Sequence, residues 1–217
     1  MGFVFPKIYP ILDASFIPSA LVPEDRREFL HWLGSELAAA GVMLLEYRNK
    51  TGADDEILRD ATVLRAALPG EEIKLILDDR ADLVEQAGFD GVHVDAGDVS
   101  AAEARRLLGP ARIVGTFGGS DGFLPGVLEA PADYLAVGPV FATTTKQTSK
   151  APIGVDGVRR LREQAGPERI LTAAAGITLA TAPAVLDAGA SAVAVAAAIF
   201  GTPDPAAEFA RWLAALG

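Results

Sequence analysis

The chain has 217 residues, 50% of them hydrophobic, a formal charge of −10 and no cysteine. That length and apolar content support one sizeable core, read here as a single domain over residues 1–217. The acidic balance argues against nucleic acid and anionic membranes as partners, because phosphates reward Lys and Arg; the absence of Cys excludes disulfides, thiol catalysis and cysteine metal sites. The opening MGFVFPKIYP has one lysine and no long apolar stretch before a small-residue cleavage site. No signal peptide and no membrane span are therefore expected, and a cytoplasmic protein is the default.

Short apolar runs recur along the chain with helical patterns between them. Lys7 to Leu12 reads as a strand, and Pro23-Glu24-Asp25 opens a helix with proline early and acids in the first turn. Phe29, Leu30, Leu33 and Leu37 continue it at helical spacing, and Gly41 ends it. Val42 to Tyr47 is the second strand, followed by a helix from Asp54 to Leu68. Ile73 to Leu77 is the third strand, Arg80 to Ala87 a short helix, Gly91 to Val94 the fourth strand and Ala101 to Leu108 a helix. Arg112 to Val114 is the fifth strand; the helix expected over Ser120 to Pro131 is the weakest, since Gly122, Pro125 and Gly126 interrupt it. Tyr134 to Val137, Arg169 to Thr172 and Ala192 to Val195 complete the strands, with helices at Val155 to Gln164, Leu179 to Asp187 and Pro205 to Leu216.

The strand runs are continuous rather than alternating, as strands covered on both faces should be. Eight strand–helix units in this length predict a (β/α)₈ TIM barrel. In such barrels chemistry sits at the C-terminal ends of the strands. There, alternation puts Glu46, Arg48 and Lys50 on one side of the second strand end, where two cations suit an anionic substrate; solvation of a loop is the plainer reading of the same pair. Asp78-Asp79 follow the third strand and Asp98 the fourth; each could cap a helix, but Asp79 and Asp98 together at neighbouring strand ends could share Mg²⁺. Gly138 to Lys150 sets five hydroxyl side chains and two lysines after the sixth strand. Gly176, Ala196 and Ala197 offer small residues where backbone N–H groups bind phosphate in this fold, close packing of the rim being the alternative. His31 reads as a surface residue, and His93 as structural.

Taken in order, these residues resemble the thiamine phosphate synthase family, from Tyr9 to about Pro205. The family's Gln-x-Arg-x-Lys is similar to Glu46-Tyr47-Arg48-Asn49-Lys50, its Asn-Asp to Asp78-Asp79, and its Gly-x-His-x-Gly-Gln-x-Asp to Gly91 through Asp98. Gly138-Pro139-Val140-Phe141-Ala142-Thr143-Thr144-Thr145-Lys146 resembles its Gly-Pro-[Val/Ile]-[Phe/Tyr]-x-Thr-x-Thr-Lys, and Gly176-Ile177 the end of its Gly-Gly-Ile. The resemblance implies an enzyme that joins 4-amino-5-hydroxymethylpyrimidine diphosphate to a thiazole phosphate. In that reading Asp79 and Asp98 hold Mg²⁺, while Arg48, Lys50 and Lys146 bind the diphosphate. Thr143, Thr145 and the backbone at Gly176, Ala196 and Ala197 take the thiazole phosphate; Gly176→Val is expected to weaken its binding with the fold intact. The resemblance also places Glu46, Asp78 and Phe117 among the substrate-binding positions, Glu46 where the family's glutamine reads the pyrimidine and Phe117 where its serine binds the diphosphate; the chain departs from the family at Glu46 (Gln), Asp78 (Asn), Phe117 (Ser), Gly119 (His in many members) and Ala197 (Ser).

The departures at Glu46 and Phe117 keep two other readings open: a diverged barrel acting on another phosphorylated small molecule, and a non-catalytic binding barrel. A TenI-type thiazole tautomerase is the nearest relative of the first kind, but its histidine after the fifth strand is missing. The assembly state stays open, with a homodimer among the allowed forms.

Overall fold

Eight parallel strands close into a barrel in chain order. They are β1 (Ile8–Asp13), β2 (Leu44–Arg48), β3 (Lys74–Asp78), β4 (Gly91–Val94), β5 (Ile113–Gly119), β6 (Tyr134–Val137), β7 (Ile170–Ala174) and β8 (Ala192–Val195). β1 pairs with β8 through Ile8↔Val193 and Tyr9↔Ala194, so no sheet edge is left. The helices are α1 (Pro23–Ala39), α2 (Asp54–Ala67), α3 (Val84–Ala87), α4 (Ala101–Leu108), α5 (Gly154–Ala165), α6 (Ala182–Asp187), α7 (Ala197–Phe200) and α8 (Pro205–Leu216). This computed structural model describes residues 4–69, 72–95, 97–143 and 150–217. None of the described helices is long and apolar enough to cross a membrane.

Strand alternation divides the core in two. Leu45, Tyr47, Leu75, Leu77, Val92 and Leu135 point outward and pack against the helices. Tyr9, Leu44, Ile76, Tyr134 and Ala194 fill the barrel interior, with Phe5 packed against them. The interior is crowded where Tyr134 lies across it: a Cβ on Gly115 of the neighbouring β5 would overlap the Tyr134 ring, so only glycine fits there.

The helices form where capping and periodicity agree. Ser100 and Glu103 build a reciprocal capping box at the start of α4. Asp204 accepts from the Ala207 N–H at 3.0 Å before Pro205 opens α8, which buries Phe209, Trp212 and Leu216. On the outer face of β2, Tyr47 donates to Asp60, which also holds Arg26 of α1 at 2.6 Å. This network fastens α1 and α2 to the sheet. Arg26→Met should therefore cost about 3 kcal/mol, since it leaves the buried Asp60 carboxylate without its cation. Chemical denaturation checks this, and an unchanged midpoint would show that the pair adds nothing.

Several expectations change: the helix expected from Leu179 begins at Ala182, and α7 was not expected. The Ser120–Pro131 connection contains only a 3₁₀ turn, Val127–Glu129, after Gly126 in a left-handed conformation. The glycines and Pro125 prevent a continuous helical ladder there. β5 runs on to Gly119, well past Val114, and pairs with β6 across a register shift between Phe117 and Gly119. The helix expected from Arg80 begins at Val84, after a turn over residues 81–83 that follows Asp79 at φ +64°.

Candidate active site

A cavity of about 1080 Å³ opens at the C-terminal mouth of the barrel. Glu46, Arg48 and Lys50 line it together, as alternation along β2 requires. Arg48 binds Asp13 of β1 and lies 3.2 Å from Asp78 of β3; Lys50 lies 3.1 Å from Asp78 and also binds Asp79. Loop solvation therefore does not account for either cation. Asp13 was not anticipated. Its place at the end of β1, two residues beyond the inward Ile11, was the signal that could have found it.

The carboxylates differ in environment. Burial alone would raise Asp13, yet the bonds from Ser15 and the Arg48 guanidinium outweigh it and hold the group below the usual range. Asp78 is more deeply enclosed, and burial pushes it up despite Lys50, His93 and Arg48. Asp79 sits just beyond β3 with φ +64°, an uncommon conformation for a residue with a side chain. Its N–H donates to the His93 carbonyl of β4 at 2.7 Å, and its buried Oδ1 has no hydrogen-bond partner. Asp98 lines the cavity and folds back to accept from the Asp95 N–H at 2.9 Å. Neither aspartate caps a helix: Ser100 does that for α4, and α3 has no side-chain cap. Among the described residues no group of three or more His, Asp or Glu side chains is placed to hold a metal.

Below the mouth runs a buried hydrogen-bonded series. Tyr9 Oη donates to Glu46 Oε2 at 2.5 Å, Tyr9 and Tyr134 share a 2.7 Å bond, and Tyr134 Oη lies 3.1 Å from His93 Nδ1. The two tyrosines were missed as site residues because Tyr in an apolar strand reads as core. His93 does turn inward, stacked on the Tyr134 ring, while His31 is exposed.

The opposite wall is small and apolar. Ala174 through Thr178 and Ala194 through Ala198 line it, and α7 starts at Ala197. Phe117 also faces the cavity, with Lys150 Nζ 4.1 Å from its ring centre. Thr143 lines the site; Thr145 and Lys146 lie outside the described residues. Gly176 is at φ +68°, and the space its side chain would take is filled by the Ala142 carbonyl and Phe141. The glycine thus serves the close approach of two loops, and the expectation that Gly176→Val spares the fold is corrected. Ala175 before it has φ +77°, which costs a non-glycine residue about 1–2 kcal/mol. Ala175→Gly should raise stability by about 0.5–1 kcal/mol once the looser unfolded chain is counted; a lower Tm would show that the Ala175 methyl contributes packing that outweighs the backbone penalty.

Fold and site together define a (β/α)₈ barrel of the enzyme type, with charged groups gathered at the strand C-termini. The chain belongs to the thiamine monophosphate synthase family, whose model matches residues 16–199. It is 41% identical over 213 residues to the thiamine-phosphate synthase of Koribacter versatilis (strain Ellin345), covering 98% of each chain. It is 36% identical over 197 residues to that of Agrobacterium fabrum (strain C58), covering 89% of this chain and 86% of the relative. Among solved structures, thiamine phosphate pyrophosphorylase from Pyrococcus furiosus superposes with a TM-score of 0.74 at 22% identity, covering 97% of this chain and 98% of that one.

Proposed function

We propose that this chain is a thiamine phosphate synthase, joining 4-amino-5-hydroxymethylpyrimidine diphosphate to a thiazole phosphate with release of pyrophosphate. The thiazole nitrogen forms a C–N bond to the pyrimidine methylene carbon as the C–O bond to diphosphate breaks. The electron pair leaves with the diphosphate, and no protein base is needed. The observation that carries this reading is one cavity with cations on one wall and a small-residue rim on the other. Arg48 and Lys50, already gathered with Asp13, Asp78 and Asp79, meet the diphosphate oxygens; Lys146 is assigned to the same role from sequence. Thr143 and Thr145 contact the thiazole phosphate, and the backbone at Gly176, Ala196 and Ala197 forms its cradle.

Asp79 and Asp98 fit a hard divalent cation. The buried Asp79 Oδ1 lacks any hydrogen-bond partner, and both residues attach to the end of β4, through the His93 carbonyl and the Asp95 N–H. When bound there, Mg²⁺ supplies charge neutralisation for the departing diphosphate. The chain's own residues hold both substrates in line and exclude water, so catalysis rests on positioning and charge. Calorimetry of pyrimidine diphosphate with and without Mg²⁺ tests the assignment: the wild type should show Mg²⁺-dependent binding and Asp98→Ala should lose it. Equal Mg²⁺ dependence in both would remove Asp98 from the metal site.

A further inference from the structure

Glu46 is 2% exposed and lies inside the barrel, level with Ile11 of β1 and Ile76 of β3. It also lines the cavity, so it forms part of the floor on which a substrate rests. Beneath it the barrel is plugged by aromatic rings: Phe5 packs 5.6 Å from Tyr9 and 5.0 Å from Tyr134. Among the described residues these rings fill the barrel below this carboxyl, and the cavity opens above it.

The groups around Glu46 decide its charge. From β1 it meets the Tyr9 hydroxyl, with Asp13 higher on the same strand. From β3 comes Asp78, from β4 His93, and from the residue just after β4 Asp95. Tyr134 stands one hydrogen bond further off on β6. β5, β7 and β8 present Phe117, Thr172 and Ala194 to the same cavity, all uncharged. On β2 itself the cations are engaged elsewhere: Arg48 with Asp13 and Asp78, Lys50 with Asp78 and Asp79. Among the described residues no ion pair reaches Glu46. A buried carboxyl with no ion pair of its own, close to the Asp78 and Asp95 carboxylates, takes up a proton rather than carry an unpaired charge. Burial first, then the Asp78 charge, push it up to about 8; the Tyr9 bond and the more distant Arg48 act the other way without prevailing.

At Glu46, where the resemblance places the family's pyrimidine-reading glutamine, we propose that the buried side chain is held as a neutral carboxylic acid, offering one O–H donor and one carbonyl acceptor as the amide would. With Tyr9 donating to Oε2, the neutral acid carries its proton on Oε1. An aminopyrimidine offers the complement, a ring nitrogen that accepts beside an amino group that donates. An ionised carboxylate has acceptors only and would set a lone pair against the ring nitrogen. This proposal rests on the function given above, with the pyrimidine as the ring that is read.

Two measurements separate it from that function. The first is the affinity for the pyrimidine diphosphate in Mg²⁺ buffer by calorimetry, as a function of pH. For the wild type it should be steady below about 8 and then fall roughly tenfold per pH unit. Glu46→Gln keeps a donor and an acceptor without a titrating proton, so its affinity should stay level over the same range. A flat wild-type profile, or the same fall in Glu46→Gln, would overturn the proposal.

The second needs no substrate. The folded carboxyl titrates above its unfolded value of 4.5, so its stabilising share is complete below that value and is lost as pH rises through about 8. The Tm of Glu46→Gln should accordingly gain on the wild type between those limits. A constant gap would mean an ionised Glu46 and would also overturn the proposal. Should the wild type form no thiamine phosphate at any pH, the function fails, while the Tm gap still decides the state of Glu46.

Discussion

Arg48→Met should lower kcat/KM by about 10²–10³-fold, the scale on which a preorganised charge-stabilising group contributes. The structure gives the reason. Arg48 reaches the cavity from the end of β2 and is held by Asp13 and Asp78 on the strands at either side. The two carboxylates fix its direction, so no ordering cost falls on the reacting complex. The same substitution should destabilise the fold by about 3 kcal/mol, because both acids are buried and lose their shared guanidinium partner. Arg48→Lys keeps a charge but not a planar fork serving two neighbours, and should recover stability more than rate. Steady-state kinetics beside thermal unfolding separate the two losses. A methionine variant with undiminished kcat/KM would take Arg48 out of the diphosphate site.

Gly176→Val should raise the KM for the thiazole phosphate by about 10²-fold and reduce stability by about 2–3 kcal/mol. A β-branched residue does not adopt φ +68° without strain, and its Cβ would overlap the Ala142 carbonyl and stand 2.7 Å from Phe141 Cβ. The loop carrying Thr143 would have to move, which is why a change after β7 reaches a contact made after β6. Gly176→Ala should fall between the two. An unaltered KM in the valine variant would show that the loop holding Thr143 does not serve this substrate.

Much of the architecture could be read from the chain because most strands carry a short apolar run, such as Tyr134–Val137 between Asp133 and Gly138. β4, β6, β8, α4 and α8 have the expected limits. Where a rule failed, a tertiary contact had replaced a local one. The connection after β5 has glycines and a proline that permit a turn but do not say which. β5 outlasts its apolar stretch because Thr116 to Gly119 are sheltered by β6 and not by their own side chains.

The site was legible to the same degree. Period-two alternation placed Glu46, Arg48 and Lys50 on one wall without the fold being known. It did not reveal what those groups bind, since Asp13 is 35 residues from Arg48 in sequence. Tyr9 and Tyr134 escaped notice because their rings belong to the core and only their hydroxyls belong to the site. The change from an amide to Glu46 reads in sequence as an added negative charge near a diphosphate. Burial and the committed cations alter that meaning, and this could not be seen before Arg48 and Lys50 had partners.

The most direct test mixes the purified chain with Mg²⁺, pyrimidine diphosphate and thiazole phosphate and follows thiamine phosphate through its oxidation to fluorescent thiochrome. The account predicts product that requires both substrates, disappears with EDTA and is lost in Asp98→Ala. No product from the wild-type chain, with thiazole phosphate still bound, would contradict it and leave a barrel that keeps its phosphate cradle for other chemistry.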